Sequence, residues 1–173
     1  MATPAYSKFK ITPFWTPDSF KDLEYISEDF NDSESLQKWL SQGYHNRFTG
    51  EMCDMRGAQP SWNDRIIKMF TRYGWLNIGT SYYRMSTGTV LPTHSDLYLK
   101  YVKLYNLKGQ EHRIRRAIVF LEDWKPGHYS EINGEGIVNW SAGDVIEWTY
   151  NLPHAAANIG IEDRYTLQIT GWV

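Results

Sequence analysis

Two rhythms of apolar and polar residues divide the chain near residue 75. Before it, apolar side chains recur at helical spacing over residues 33–40 and 61–73, the second stretch carrying Trp62, Ile66, Met69, Phe70 and Tyr73. Asp32 or Ser33 is expected to cap the first helix and Ser61 the second, because a short side-chain oxygen accepts from the first free backbone N–H groups. Residues 43–60 hold glycines, a proline and little periodicity, which predicts an irregular connection. After residue 75 the rhythm shortens to strands separated by turn residues, at 76–85, 116–121, 137–140, 145–150 and 164–170.

That succession of short strands argues for an antiparallel sandwich or barrel with helices packed outside it. With 173 residues the chain suffices for one core and is short for two, so a single domain over 1–173 is expected. Residues 1–75 then serve as helical support and 76–173 as the β core. The 8 Trp, 12 Tyr and 7 Phe supply large rings, most of them for core packing.

Charge narrows the functions. A formal net charge of −2 gives no footprint for nucleic acid or an anionic membrane, the cluster of Arg113, Arg115 and Arg116 being a local exception. No stretch approaches the roughly 20 apolar residues that span a bilayer. The single cysteine, Cys53, has no internal disulfide partner and the N-terminus lacks the apolar run of a signal peptide, so a soluble, cytoplasmic protein is expected.

The chemistry concentrates in three places. His94 and Asp96 flank Ser95 behind a turn-like stretch, and alternate residues on an extended segment project to one face, where an imidazole and a carboxylate can meet one ion. His154 follows the strand holding Val145, Ile146 and Trp148, and a folded sheet can bring it opposite that pair. Two histidines and one carboxylate on one face of an iron leave positions open for a cosubstrate and dioxygen. Ten residues further on, Arg164 and Thr166 share a strand face, and an arginine fork with a hydroxyl beside it suits a carboxylate. On that strand Arg164, Thr166, Gln168 and Thr170 alternate with Tyr165, Leu167 and Ile169. Either the polar face lines a wet pocket while the apolar face packs on the N-terminal helices, or the polar face is simply solvated.

These residues resemble the 2-oxoglutarate and iron(II)-dependent dioxygenase superfamily, whose members carry HxD, a distal histidine and an arginine about ten residues later. The resemblance covers roughly residues 76–171. Residues 88–94 and 153–164 are similar to the aspartyl/asparaginyl β-hydroxylase and proline hydroxylase-like branch. It implies a double-stranded β-helix of jelly-roll or cupin type. It further implies His94, Asp96 and His154 as iron(II) ligands and catalytic centre, Arg164 and Thr166 as the 2-oxoglutarate site, and dioxygen as co-reactant. Part of the family places another arginine on the strand after HxD, for which Arg113 is the nearest match, while Arg115 stands where a histidine is often found. The implied reaction is hydroxylation of a C–H bond in an amino acid, a peptide side chain or another small molecule, with an intact Asp96 favouring hydroxylation over halogenation. Residues 97–110 form an insertion relative to the family, a candidate lid or substrate loop, in which Tyr98, Tyr101 and Tyr105 are spaced like one face of a short helix.

Two other classes compete. A non-catalytic cupin-like protein would use the same ligands for another metal or none, with its aromatic residues binding carbohydrate or a partner chain. Metal-assisted hydrolysis would place a zinc-bound water at the same three ligands, and would leave Arg164 without a task. His45, His112 and His128 each have an ordinary explanation, in a helix end, a charged run and a turn.

Overall fold

The computed structural model describes residues 6–27, 30, 32–44, 48–53, 55 and 59–173. His45 lies outside them. In chain order the elements are β1 (Tyr6–Lys10), α1 (Asp18–Lys21), β2 (Tyr25–Ser27), α2 (Ser33–Ser41), β3 (Glu51–Cys53), α3 (Asn63–Arg72), β4 (Leu76–Met85), β5 (Thr89–His94), α4 (Leu99–Leu104), β6 (Ile114–Phe120), β7 (His128–Ile132), β8 (Glu135–Ile137), β9 (Asp144–Thr149), β10 (His154–Asn158) and β11 (Arg164–Trp172). A 3₁₀ turn at Glu111–Arg113 precedes β6.

The strands form two antiparallel sheets, one of seven strands in the order β1-β9-β6-β11-β4-β3-β2 and one of four in the order β5-β10-β7-β8. Phe120, Ile132, Ile137, Trp140, Ile146 and Trp148, drawn from both sheets, pack together between them. This is the double-stranded β-helix that the strand rhythm and the resemblance imply.

A second core lies on the outer face of the large sheet. There Phe20 of α1 and Ile66 and Phe70 of α3 meet Tyr82, Ala117, Val119, Val145, Leu167 and Ile169. The alternation on β11 therefore resolves in favour of the wet-pocket reading: Tyr165, Leu167 and Ile169 pack under the helices, and Arg164 and Thr166 are buried on the opposite, inter-sheet face.

Several expectations need correction. The first 75 residues are not helical support alone, because β1, β2 and β3 belong to the large sheet, and β3 pairs with β4 inside the stretch expected to be irregular. Strands of three residues are too short to show a period. The helix expected at 61–73 begins at Asn63 without a side-chain cap, since a turn in which Asn63 N donates to Pro60 O leads into it and displaces Ser61 from the capping position. Asp32 does cap α2, accepting from the backbone N–H of Glu34 and Ser35. The strand expected at 137–140 lies instead at Glu135–Ile137, because Asn139 turns into the left-handed region at φ 60° and swings Trp140 onto the Phe120 ring. Among the described residues no helix is long and apolar enough to cross a membrane.

Candidate active site

The site grows from the small sheet. β5 starts behind the turn in which Thr89 N donates to Ser86 O, with Gly88 at φ 83°. It is an edge strand, which is why Pro92 is tolerated in it. At its end His94 stands directly across from His154, the first residue of β10. Each ring Nδ1 lies against the backbone carbonyl two residues upstream, His94 on Pro92 O at 2.9 Å and His154 on Leu152 O at 3.0 Å. Donation from Nδ1 fixes the tautomer and leaves both Nε2 atoms as electron-pair donors.

Asp96 completes the cluster just beyond the strand. Its Oδ1 is 3.8 Å from His94 Nε2 and its Oδ2 is 3.7 Å from His154 Nε2. Among the described residues these three form a group whose ligand atoms all lie within 4.8 Å of one another. Phe30 and Trp39 stand edge-on to the His94 ring at 5.3 and 5.8 Å, and Trp148 lies 5.0 Å from the His154 ring. This aromatic collar holds the imidazoles in place and keeps bulk water off them.

The electrostatics keep the cluster ready for a cation. Burial opposes the charge on Asp96, but Arg116, His154 and His94 outweigh it and lower its pKa to about 2. Burial lowers the pKa of His154 to about 4, so its imidazole is neutral at neutral pH. An ionised carboxylate and a neutral imidazole are the forms that bind metal.

A cavity of about 510 Å³ opens over the cluster and continues along β11, past Arg164, Thr166, Gln168 and Thr170. Arg164 is buried at one end, 4 % exposed. One Nη donates to the buried Ser130 hydroxyl, the other points at Met85 Sδ at 3.9 Å, and Nε has no hydrogen-bond partner. Phe120 and Trp140 lie 5.8 and 5.4 Å from the guanidinium. Among the described residues no carboxylate pairs with it, and burial alone lowers its pKa to about 10. A buried cation with donors to spare, opening on a cavity, is chemically suited to an anion.

Not every expected residue joins the cavity. Arg113 donates to Val173 O and to Gln110 Oε1, with its guanidinium 4.0 Å from the Trp172 ring, and Arg115 donates to the carbonyls of His112 and Ile114. Neither lines the cavity, which takes Arg116 from that cluster instead. The alternation of β6 explains the correction: Arg116 and Ile118 face the cavity, while Ala117 and Val119 face the helices. Residues 97–110 do reach the cavity, which Leu97, Tyr98, Leu99, Lys100 and Tyr101 line. Tyr98 and Tyr101 line it and Tyr105 does not, packing instead against Tyr101 with the two rings tilted and 4.7 Å apart. His128 is buried with Nε2 2.9 Å from Glu162 O, and His112 sits in the 3₁₀ turn, both off the cavity lining.

Fold and site thus define a double-stranded β-helix protein with a buried two-histidine, one-carboxylate cluster. Among solved structures, a Pseudomonas putida prolyl-4-hydroxylase superposes with a TM-score of 0.61 at 14% identity, covering 99% of this chain and 94% of that one. A predicted oxalate decarboxylase from Thermotoga maritima follows at a TM-score of 0.42 and 14% identity, covering 71% of this chain and 80% of that one. An uncharacterised double-stranded β-helix protein from Klebsiella pneumoniae gives 0.38 at 13% identity over 54% of this chain and 66% of its own. No family model matches the sequence, and no curated protein matches it. The likeness that spans nearly the whole chain shows the fold.

Proposed function

We propose that the protein is an iron(II)- and 2-oxoglutarate-dependent oxygenase that hydroxylates a C–H bond of an amino acid, a peptide side chain or another small molecule. The observation that carries this reading is the buried, carboxylate-free Arg164 guanidinium in the same cavity as the His94, Asp96 and His154 cluster. A metal-binding cupin or a zinc hydrolase would account for the cluster and leave the arginine idle.

The donor set fits iron(II), with Nε2 of each histidine and the Asp96 carboxylate as ligands. Bound there, iron and 2-oxoglutarate would couple decarboxylation of the oxoacid to insertion of one oxygen of dioxygen into the substrate. The chain's own part is to bind and to orient. Arg164, with the Ser130 and Thr166 hydroxyls near it, takes the distal carboxylate of the oxoacid. Ser130 lies opposite Ala156, two residues along β10 from His154, a rise of roughly 7 Å that suits a five-carbon dicarboxylate reaching from metal to arginine. Trp39 and Trp148 exclude water behind the ligands, and Tyr98, Leu99 and Tyr101 border the space left for substrate. The fold shared with a prolyl-4-hydroxylase is compatible with this chemistry.

The test is anaerobic. Adding iron(II) and then 2-oxoglutarate to metal-stripped protein is expected to give the visible charge-transfer band of the chelate in wild type. The band should vanish in His94→Ala and need at least about 100-fold more 2-oxoglutarate in Arg164→Ala, since a buried charged hydrogen-bonded pair loses about 3 kcal/mol. A folded, iron-binding wild type without the band would sink the proposal and leave the cupin-like binding protein as the better account.

A further inference from the structure

The Asp96 carboxylate is gripped from outside the cluster. Arg116 Nη2 donates to Oδ2 at 3.0 Å; that oxygen stands 3.7 Å from His154 Nε2, and Oδ1 stands 3.8 Å from His94 Nε2. The guanidinium is itself pinned: Nη1 donates to Gln168 Oε1 at 2.7 Å, Nε to the Tyr98 hydroxyl at 3.4 Å, and the Tyr98 ring lies 5.1 Å away. Gln168 and Tyr98 are uncharged, and among the described residues Asp96 is the carboxylate with which Arg116 forms its ion pair. Releasing Oδ2 would leave a partly buried guanidinium without its counter-charge, which is costly.

Denticity matters at such a centre. Two imidazoles and a carboxylate bound through one oxygen leave three of six positions on an iron ion, enough for a chelating oxoacid and a gas molecule. A carboxylate bound through both oxygens leaves two, and the oxoacid fills them. We propose that Arg116 is a positioning residue that occupies Asp96 Oδ2, so that Asp96 meets the metal through Oδ1 alone and a position stays open for dioxygen. The inference rests on the proposed oxygenase and adds to it a role for a cavity residue outside the three-residue cluster.

Nitric oxide, an unreactive probe for that position, tests it anaerobically. With the 2-oxoglutarate chelate band present, wild type should bind nitric oxide tightly, read by the electron paramagnetic resonance of the iron–nitrosyl. In Arg116→Leu the affinity should drop at least about tenfold, the lower end of what lost support of a ligand costs. Arg116→Lys, which restores a cationic donor, should recover most of it. Equal nitric oxide affinity in wild type and Arg116→Leu overturns the proposal. Should Arg116→Leu fail to fold or take up iron, a crystal structure of wild type with manganese(II) decides, Oδ1-only binding supporting the proposal and chelation through both oxygens overturning it. Absence of the chelate band in wild type counts against the oxygenase reading instead, and the manganese(II) structure still reads how Asp96 binds.

Discussion

His154 makes the cluster sensitive to acid. Burial holds its pKa at about 4, below the ordinary 6.5, so between those values the unfolded chain binds a proton that the folded one refuses. Stability therefore falls as pH drops through that window. Asp96 acts lower down: its pKa of about 2 lies below the ordinary 3.8, so its contribution is complete above 3.8 and is lost as pH falls through 2. Urea unfolding of metal-free protein should show a loss of about 2 kcal/mol from His154 between pH 7 and 4.5, and His154→Asn should flatten that part of the profile. At this scale the cluster of His94, Asp96 and His154, with Arg164 in the same cavity, is legible because scarce residue types recur in a recognisable order. Arg116 is not. Residues 117–120 are apolar without a break, so nothing in the sequence says which parity of β6 faces the cavity, and the family resemblance points to Arg113 and Arg115 instead. Pairing β6 with β11, which sets Arg116 across from Thr170, supplies the missing parity.

Elements hold the site through their ends. Gly127, at φ 90°, turns the chain into β7, and a Cβ there would come within 2.2 Å of Gly160 N. That contact fixes the loop before β7 against the loop after β10, whose strands carry Ser130 and His154. Gly127→Ala should thus cost about 3 kcal/mol in chemical denaturation, combining backbone strain with a clash that no side-chain rotation relieves. A loss under about 1 kcal/mol would mean that the two loops are free to separate. The long elements were readable: β4 appears at the expected residues, and β6, β9, β11, α2 and α3 within a few. β5 and β10 were not, since each strand carries residues that read as turn or neutral, Pro92 in one and a run of alanines in the other. Their strand character comes from pairing with each other rather than from intrinsic preference.

On the scale of the molecule, the supposed boundary at residue 75 dissolves. β1 closes one edge of the large sheet against β9, and β2 with β3 closes the other against β4, so the N-terminal stretch grips both margins of the sheet whose centre is β11. Helix periodicity showed where this stretch packs, but edge pairing between residues far apart leaves no local trace. Such interlocking predicts one cooperative transition, with far-UV circular dichroism and tryptophan fluorescence giving coincident denaturation curves. Separated curves would mean that residues 6–53 come away as a unit of their own.

The pairing of β1 with β9 also sets a timetable for synthesis. The strand Tyr6–Lys10 has no partner until Asp144–Thr149, far later in the chain, has emerged, so this edge of the large sheet cannot close before then. The unpaired edge must wait while all the residues between the two strands are made. A nascent chain of this kind is a natural client for a holding chaperone, and an expression host that translates slowly exposes that edge for longer.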